Sequence, residues 1–137
     1  MKNSEAEKVL RKLLENDGYS LSPIRKNGEL GVDILATKEK QKLYIECIGY
    51  KISNPARSKD FFEVFFRAIS RLNDEAKECI IALPANYKLG FHQRVKQYSI
   101  GWKRIGDVFP ELQIWFINKE EMKLEKFTWN KLLNFKN

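Results

Sequence analysis

Gly31-Val32-Asp33-Ile34-Leu35-Ala36 and Leu43-Tyr44-Ile45-Glu46-Cys47-Ile48 are two apolar stretches that each contain one carboxylate. The polar run from Lys38 to Gln41 lies between them, so the pattern predicts two antiparallel strands joined by a hairpin loop. A carboxylate inside a sheet costs several kcal/mol unless it is paired or binds a cation. Because Asp33 and Glu46 lie on neighbouring strands, they can converge on one point. We therefore predict a functional site at this pair.

The hydrophobic pattern on either side of the hairpin predicts the remaining elements. Val9, Leu10, Leu13 and Leu14 form the apolar stripe of a helix over 4–16, with Ser4 and Glu7 spaced as a capping box. Further predicted elements are an edge strand at 19–24, strands at 30–37, 43–49, 78–83 and 112–117, and helices at 58–73 (capped by Ser58), 91–105 and 129–133. This order predicts an α/β fold with an αβββαβ core, whose mixed central sheet is flanked by helices, in one domain over 1–137.

Composition narrows the class of protein. A net charge of +7, from 25 basic and 18 acidic residues, favours a polyanionic partner such as nucleic acid. The hydrophobic share of 43% and the charged share of 31% are typical of a globular chain and exclude a disordered or membrane-spanning one. Cys47 and Cys79 lie in strand-like runs without CxxC spacing. Because no secretory signal is visible either, we expect a cytoplasmic protein.

The carboxylate pair is suited to a hard cation. Mg²⁺ binds few protein carboxylates and completes its shell with water and phosphate, and a metal held in this way can activate water against a phosphodiester. His92 is the only histidine and has no Cys or His nearby in the sequence, so neither a zinc site nor a Ser-His-Asp triad is indicated.

The hairpin residues resemble the PD-(D/E)XK nuclease superfamily, and within it the Mrr-type restriction endonucleases and archaeal Holliday-junction resolvases. Glu7 matches the glutamate of the family's first helix, Asp33 its strand aspartate, and Glu46 the glutamate of its Glu-x-Lys motif. The resemblance covers residues 4–72 and the order of elements beyond them. It implies a restriction-endonuclease-like fold and a metal-dependent DNA endonuclease, in which Asp33 and Glu46 bind Mg²⁺ or Mn²⁺ and Glu7 assists. Homodimers are common among such enzymes.

Ile48 stands where the family has its lysine. Side chains alternate along a strand, so position 48 shares a face with Glu46. A lysine there can stabilise negative charge in the transition state, whereas isoleucine cannot. A bulge at Gly49 would turn Lys51 inward, and we predict Lys51 as the replacement cation. Two further candidates follow on the next helix, Lys59 and Arg67.

Several structural interpretations stay open beside the functional ones. In these alternatives Glu7 serves only as a capping partner, and Asp33 binds loop amides at a strand end. Glu46 then pairs with Arg25, Lys26 or Lys51. Four basic residues are predicted DNA contacts, with a solvated basic face as the alternative: Lys59, Arg67, Arg94 and Lys96. At the level of function, a nuclease scaffold that binds nucleic acid without cleaving it is the first alternative, and a protein-interaction domain is the second.

Overall fold

The computed structural model describes residues 1–26 and 28–134, which form one six-stranded mixed sheet with helices on both faces. Its elements are α1 (Asn3–Asn16), β1 (Ser20–Leu21), β2 (Ile34–Lys38), β3 (Gln41–Cys47), α2 (Asn54–Ser70), β4 (Cys79–Pro84), α3 (Lys88–Gln97), α4 (Ser99–Val108), β5 (Leu112–Asn118) and β6 (Lys123–Thr128). Short 3₁₀ turns occupy Arg71–Asp74, Ala85–Tyr87 and Asn130–Asn134. The predicted mixed α/β fold is confirmed.

The strands lie in chain order across the sheet, from β1 to β6. The β2–β3 and β5–β6 pairs are antiparallel, whereas β3, β4 and β5 run parallel. Parallel neighbours need a crossover, which α2 supplies before β4, and α3 with α4 before β5. In the β2–β3 hairpin Ile34 faces Ile45. Extending this register by one residue places Asp33 opposite Glu46.

Alternation along β3 divides its side chains between two cores. Leu43, Ile45 and Cys47 pack with α1 on one face of the sheet. Ile48 packs on the other face, with buried residues of α2, α3 and α4. Glu46 shares the face of Ile48 because it lies two residues before it. The predicted hairpin therefore directs Glu46 toward α2.

Two helix starts differ from the prediction. The N-cap of α1 is Lys2 and no side chain caps it, so the predicted capping box of Ser4 and Glu7 is wrong. Helix α2 begins at Asn54 rather than near 58. Its cap is Ser53, whose Oγ accepts a hydrogen bond of 3.3 Å from the N–H of Ala56, and a proline in the first turn favours this early start.

The last third of the chain departs furthest from the prediction. The helix expected over 91–105 is broken at Tyr98, with φ −117° and ψ 38°, into α3 and α4. The apolar stripe continues across the break, because Val95 and Trp102 are both buried. Strand β6 was not predicted, since its sequence is rich in lysine and only half-buried at the sheet edge. No helix in the described ranges is long and apolar enough to span a membrane.

Candidate active site

Asp33 and Glu46 are bound to each other through the main chain of the hairpin. The Asp33 N–H donates to Glu46 Oε2 at 3.3 Å, and the Cys47 N–H donates to Asp33 Oδ2 at 3.0 Å. Asp33 is 7% exposed and Glu46 is 1% exposed. The two carboxylates therefore lie side by side below the surface, held by the same strand pairing that builds the sheet.

Three arginines approach this pair from two parts of the chain. Arg25, in the loop before β2, donates to Asp33 Oδ1. Arg67 of α2 places Nη1 3.9 Å from Asp33 Oδ2, and Arg71, just after α2, places Nε 3.7 Å from Glu46 Oε1. Guanidinium groups therefore outnumber carboxylates at this point, and such an arrangement attracts phosphate.

A fourth arginine connects α1 to the site. Arg11 is buried and donates to the carbonyl of Ser22 at 2.6 Å, to the carbonyl of Asp33 at 3.1 Å and to Glu7 Oε2 at 2.8 Å. It fixes the main chain of Asp33 and the carboxylate of Glu7 together. Arg11 was not predicted from the sequence. The only sequence signal for Arg11 was its spacing of four residues from Glu7. This spacing is common to ion pairs on exposed helix faces.

Part of this cluster lines a cavity of about 780 Å³ between α1 and the start of the hairpin, whereas Glu46 and Arg71 lie outside its lining. Its wall includes Glu7, Arg11, Arg25, Asp33 and Arg67. Arg67 is the most open of the site's arginines, with 42% of its side chain exposed. A phosphate entering this cavity can meet Arg67 without any rearrangement of the sheet.

The surroundings of the Glu46 carboxyl favour its protonated form. Burial raises the pKa of Glu46 to about 7, the nearby Asp33 adds to this shift, and Arg67 opposes it. A cation binding at the site favours the ionised form. Burial likewise raises the pKa of the Cys47 thiol well above its usual range, which favours the protonated thiol.

The two carboxylates fit a cation that keeps much of its water. Glu46 Oε1 is buried and accepts no hydrogen bond, and Arg71 Nε lies 3.7 Å from it. A metal ligated by this oxygen would take the place of the Arg71 guanidinium. Asp33 Oδ1 becomes available when the Arg25 side chain moves away. No group of three or more His, Cys, Asp or Glu side chains suited to a metal occurs within 1–26 and 28–134. Two carboxylates that leave the other ligand positions to water are a donor set that a hard divalent cation accepts.

Lys51 forms its ion pair with Asp60, whereas the ion-pair partners of Asp33 and Glu46 are arginines. Lys51 Nζ lies 3.9 Å from Asp60 Oδ2, and its side chain is 43% exposed. Ile48 fills the lysine position of the motif with an apolar side chain that is 1% exposed. Of the three cations named from the sequence, Arg67 is the one brought to Asp33, and Lys59 is exposed on α2.

The remaining predicted DNA contacts lie on α3. Lys96 is exposed, and the guanidinium of Arg94 lies 5.7 Å from the ring centre of Phe62.

Arg25, which the sequence offered as a structural partner for Glu46, pairs with Asp33 instead. Arg71 approaches both Glu46 and Asp74.

Comparison with known proteins agrees with the restriction-endonuclease-like architecture. The family model described as Restriction endonuclease (Mrr_cat) matches residues 1–81, which is more than half of the 137 residues. No curated protein and no solved structure matches the chain. The matched range contains α1, the hairpin and α2, and so every residue of the cluster around Asp33 and Glu46. The chain is a member of the Mrr-type restriction endonuclease family, within the PD-(D/E)XK superfamily.

Proposed function

We propose that this protein is a metal-dependent DNA endonuclease that hydrolyses phosphodiester bonds, with Arg67 in place of the motif lysine. The observation that carries the proposal is the position of Arg67 Nη1, 3.9 Å from the carboxylate of Asp33, which is itself hydrogen-bonded to the main chain beside Glu46. A cation thus stands beside the carboxylate pair although position 48 is apolar.

Asp33 and Glu46 would hold Mg²⁺ or Mn²⁺, with Glu46 Oε1, which accepts no hydrogen bond, as one ligand. When bound, the metal supplies Lewis-acid stabilisation of the phosphate and lowers the pKa of a water ligand. Arg67 binds the phosphate oxygens and stabilises their developing negative charge. It cannot act as a base, because a guanidinium stays protonated.

Glu7 and Arg11 have supporting roles. The Glu7 side chain is 21% exposed and lines the cavity, where its carboxylate can accept a hydrogen bond from a water approaching the phosphate. Arg11 is a positioning residue, since it holds Glu7 and the carbonyl of Asp33 in place. This pairing lets α1 contribute to the site without a direct contact to the phosphate.

DNA is the partner that the charge of the chain favours. The excess of seven positive charges favours binding through released counterions. We keep Lys59, Arg94 and Lys96 as proposed phosphate contacts. A cytoplasmic location and a homodimer that cuts both strands are likewise part of this proposal.

Cleavage of supercoiled plasmid tests the proposal. Purified protein should nick or linearise the plasmid with Mg²⁺ or Mn²⁺ and leave it intact with EDTA. Glu46→Gln should lower the initial rate by at least about 100-fold, whereas Glu120→Gln, an exposed control with the same change, should keep the wild-type rate. Equal rates for the two variants would remove Glu46 from the site.

A nucleic-acid-binding module without catalysis is the second candidate. Ile48 is 1% exposed at the motif position, and both oxygens of Asp33 already accept hydrogen bonds, from Arg25 and from the Cys47 N–H. This candidate predicts DNA binding that weakens steeply with salt, with no cleavage under either metal. A protein-interaction domain would show no salt-dependent DNA affinity at all.

A further inference from the structure

A second cavity, of about 400 Å³, lies between the start of α2 and the start of α3. It shares no lining residue with the carboxylate cavity. Helix α2 contributes to both, with Arg57, Ser58 and Phe61 in the second cavity and Arg67 in the first. The two cavities therefore lie along one helix.

The polar lining of the second cavity consists of groups that can donate hydrogen bonds. They include Arg57, Ser58, Asn86, Gln93 and Arg94, and the lining contains no Asp or Glu. Asp60, which influences the pKa of the lining residue Tyr87, faces Lys51 instead. A cavity of this composition favours an anion.

Neutral oxygen acceptors and aromatic rings, rather than carboxylates, hold the two arginines. Arg57 donates to the carbonyls of Lys51 and Ile52 at 2.7 Å each and to Asn54 Oδ1, and Arg94 Nη2 donates to Ser58 Oγ at 3.3 Å. The guanidinium of Arg57 lies 4.6 Å from the ring centre of Tyr50, and that of Arg94 lies 5.7 Å from Phe61. Neither arginine forms an ion pair with any residue in 1–26 or 28–134. Their positive charges are thus fixed in place and not neutralised.

The same cavity offers apolar surface beside this charge. Phe61 and Phe91 are buried side chains in its wall, with ring centres 5.0 Å apart. Leu89 also lines it and is 57% exposed. Guanidinium groups beside rings and an open leucine suit a ligand with an anionic end and a flat aromatic end.

We propose that the second cavity binds one nucleotide unit, with its phosphate at Arg57 and Arg94 and its base against the apolar wall. The proposal rests on the proposed nuclease function for the identity of the strand. Ten residues separate Arg57 from Arg67 along α2, which is about 15 Å of helix. This span is about four nucleotide steps at 3.4 Å per step, so one strand can reach both cavities.

Gly90 allows the cavity to be tested without removing a structural side chain. It lines the cavity, and a Cβ at this position meets no atom within 4 Å. Gly90→Glu places a carboxylate among the donors. Gly101→Glu is a matched control, because Gly90 and Gly101 are each the third residue of a ten-residue helix and both have open space around the Cβ position.

Fluorescence anisotropy with a labelled 20-nucleotide single strand and a duplex, both in EDTA, measures binding without cleavage. Gly90→Glu should weaken binding by about tenfold and lower the slope of log affinity against log salt by about one. Gly101→Glu should bind within about twofold of wild type. Thermal melts confirm that both variants fold. The proposal would be overturned if Gly90→Glu and Gly101→Glu had equal affinities for the oligonucleotides and also equal affinities for a mononucleotide.

Titration with deoxyadenosine monophosphate shows whether the cavity binds a nucleotide unit within a strand or a free nucleotide. Loss of oligonucleotide binding alone in Gly90→Glu identifies a unit within a strand, whereas loss of mononucleotide binding alone identifies a free nucleotide. Plasmid cleavage is assayed separately. Wild-type protein that binds DNA through this cavity but cleaves nothing would reject the nuclease function and leave the cavity assignment intact.

Discussion

Asp33 and Glu46 are hydrogen-bonded in both directions across the hairpin. The Asp33 N–H donates to the carboxylate of Glu46, and the N–H of Cys47, next to Glu46, donates to the carboxylate of Asp33. The geometry of the site is therefore tied to the register of β2 and β3. A slip of one residue would turn Glu46 to the α1 face and break both contacts.

The positive charge of Arg67 should be required for fast cleavage. We expect Arg67→Ala to lower the initial rate of plasmid cleavage by about 100-fold, because a guanidinium that stabilises the transition state is lost. Arg67→Lys should stay within about tenfold of wild type. Arg104→Ala, which removes an exposed arginine of α4, is the control. Cleavage by Arg67→Ala as fast as by this control would exclude the role.

A lysine at position 48 should compensate for the loss of Arg67. Ile48→Lys places an ammonium on the strand face of Glu46, so we expect it to restore at least about tenfold of the rate lost in Arg67→Ala. Its melting temperature should fall, since Ile48 is 1% exposed. Ile48→Met keeps an apolar side chain and should restore nothing. A folded double variant as slow as Arg67→Ala would contradict this prediction.

Gly49 should be required because residues 1–3 pack closely against it. An added Cβ would lie 2.6 Å from the Lys2 carbonyl carbon and 2.8 Å from the Asn3 nitrogen. We expect Gly49→Ala to lower the melting temperature by roughly 5–10 °C. Gly90→Ala, where the added Cβ meets open space, should be stabilising by about 0.5–1 kcal/mol. Calorimetry that finds the same shift for both variants would refute the steric argument.

Tyr87 should make stability fall at alkaline pH. Burial and the charge of Asp60 raise its pKa from 10.0 to about 12. The neutral hydroxyl donates to the carbonyl of Gly49 at 2.9 Å. Its contribution is complete below pH 10, where the unfolded chain also holds the proton, and is lost as pH rises toward 12.

Denaturant unfolding at pH 8, 10 and 11.5 measures this dependence. Tyr87→Phe should be less stable than wild type at pH 8 by about 1 kcal/mol and should lose less stability between pH 10 and 11.5. Tyr98→Phe, at a position 58% exposed, is the control and should follow the wild type. A decline in Tyr87→Phe as steep as in wild type would assign the alkaline sensitivity to other groups.

Local sequence signals predicted the elements that form the core of the fold. The apolar stripe of α1, the paired strands around residues 38–41 and the buried run of β4 all occur where their periodicity indicated. Strand β6 was missed because its alternation is carried by lysine and half-buried residues. The break at Tyr98 was missed because the helical stripe continues on either side of it.

The carboxylates of the site were predictable, whereas most of its cations were not. Asp33 and Glu46 stand out because a charge interrupts an apolar strand. Arg25, Arg67 and Arg71 look like ordinary surface arginines in the sequence. Their approach to the pair depends on how the loop before β2 and the end of α2 fold over the hairpin.

The sequence by itself determined the α/β pattern, the carboxylate pair and the apolar residue at position 48, since each depends on residue type and on alternation along a strand. Only the tertiary structure decided that Arg67 reaches Asp33 while Lys51 pairs with Asp60. The reason is physical: strand periodicity is set by neighbouring residues, whereas the partner of a long charged side chain is set by the packing of α2 on the sheet.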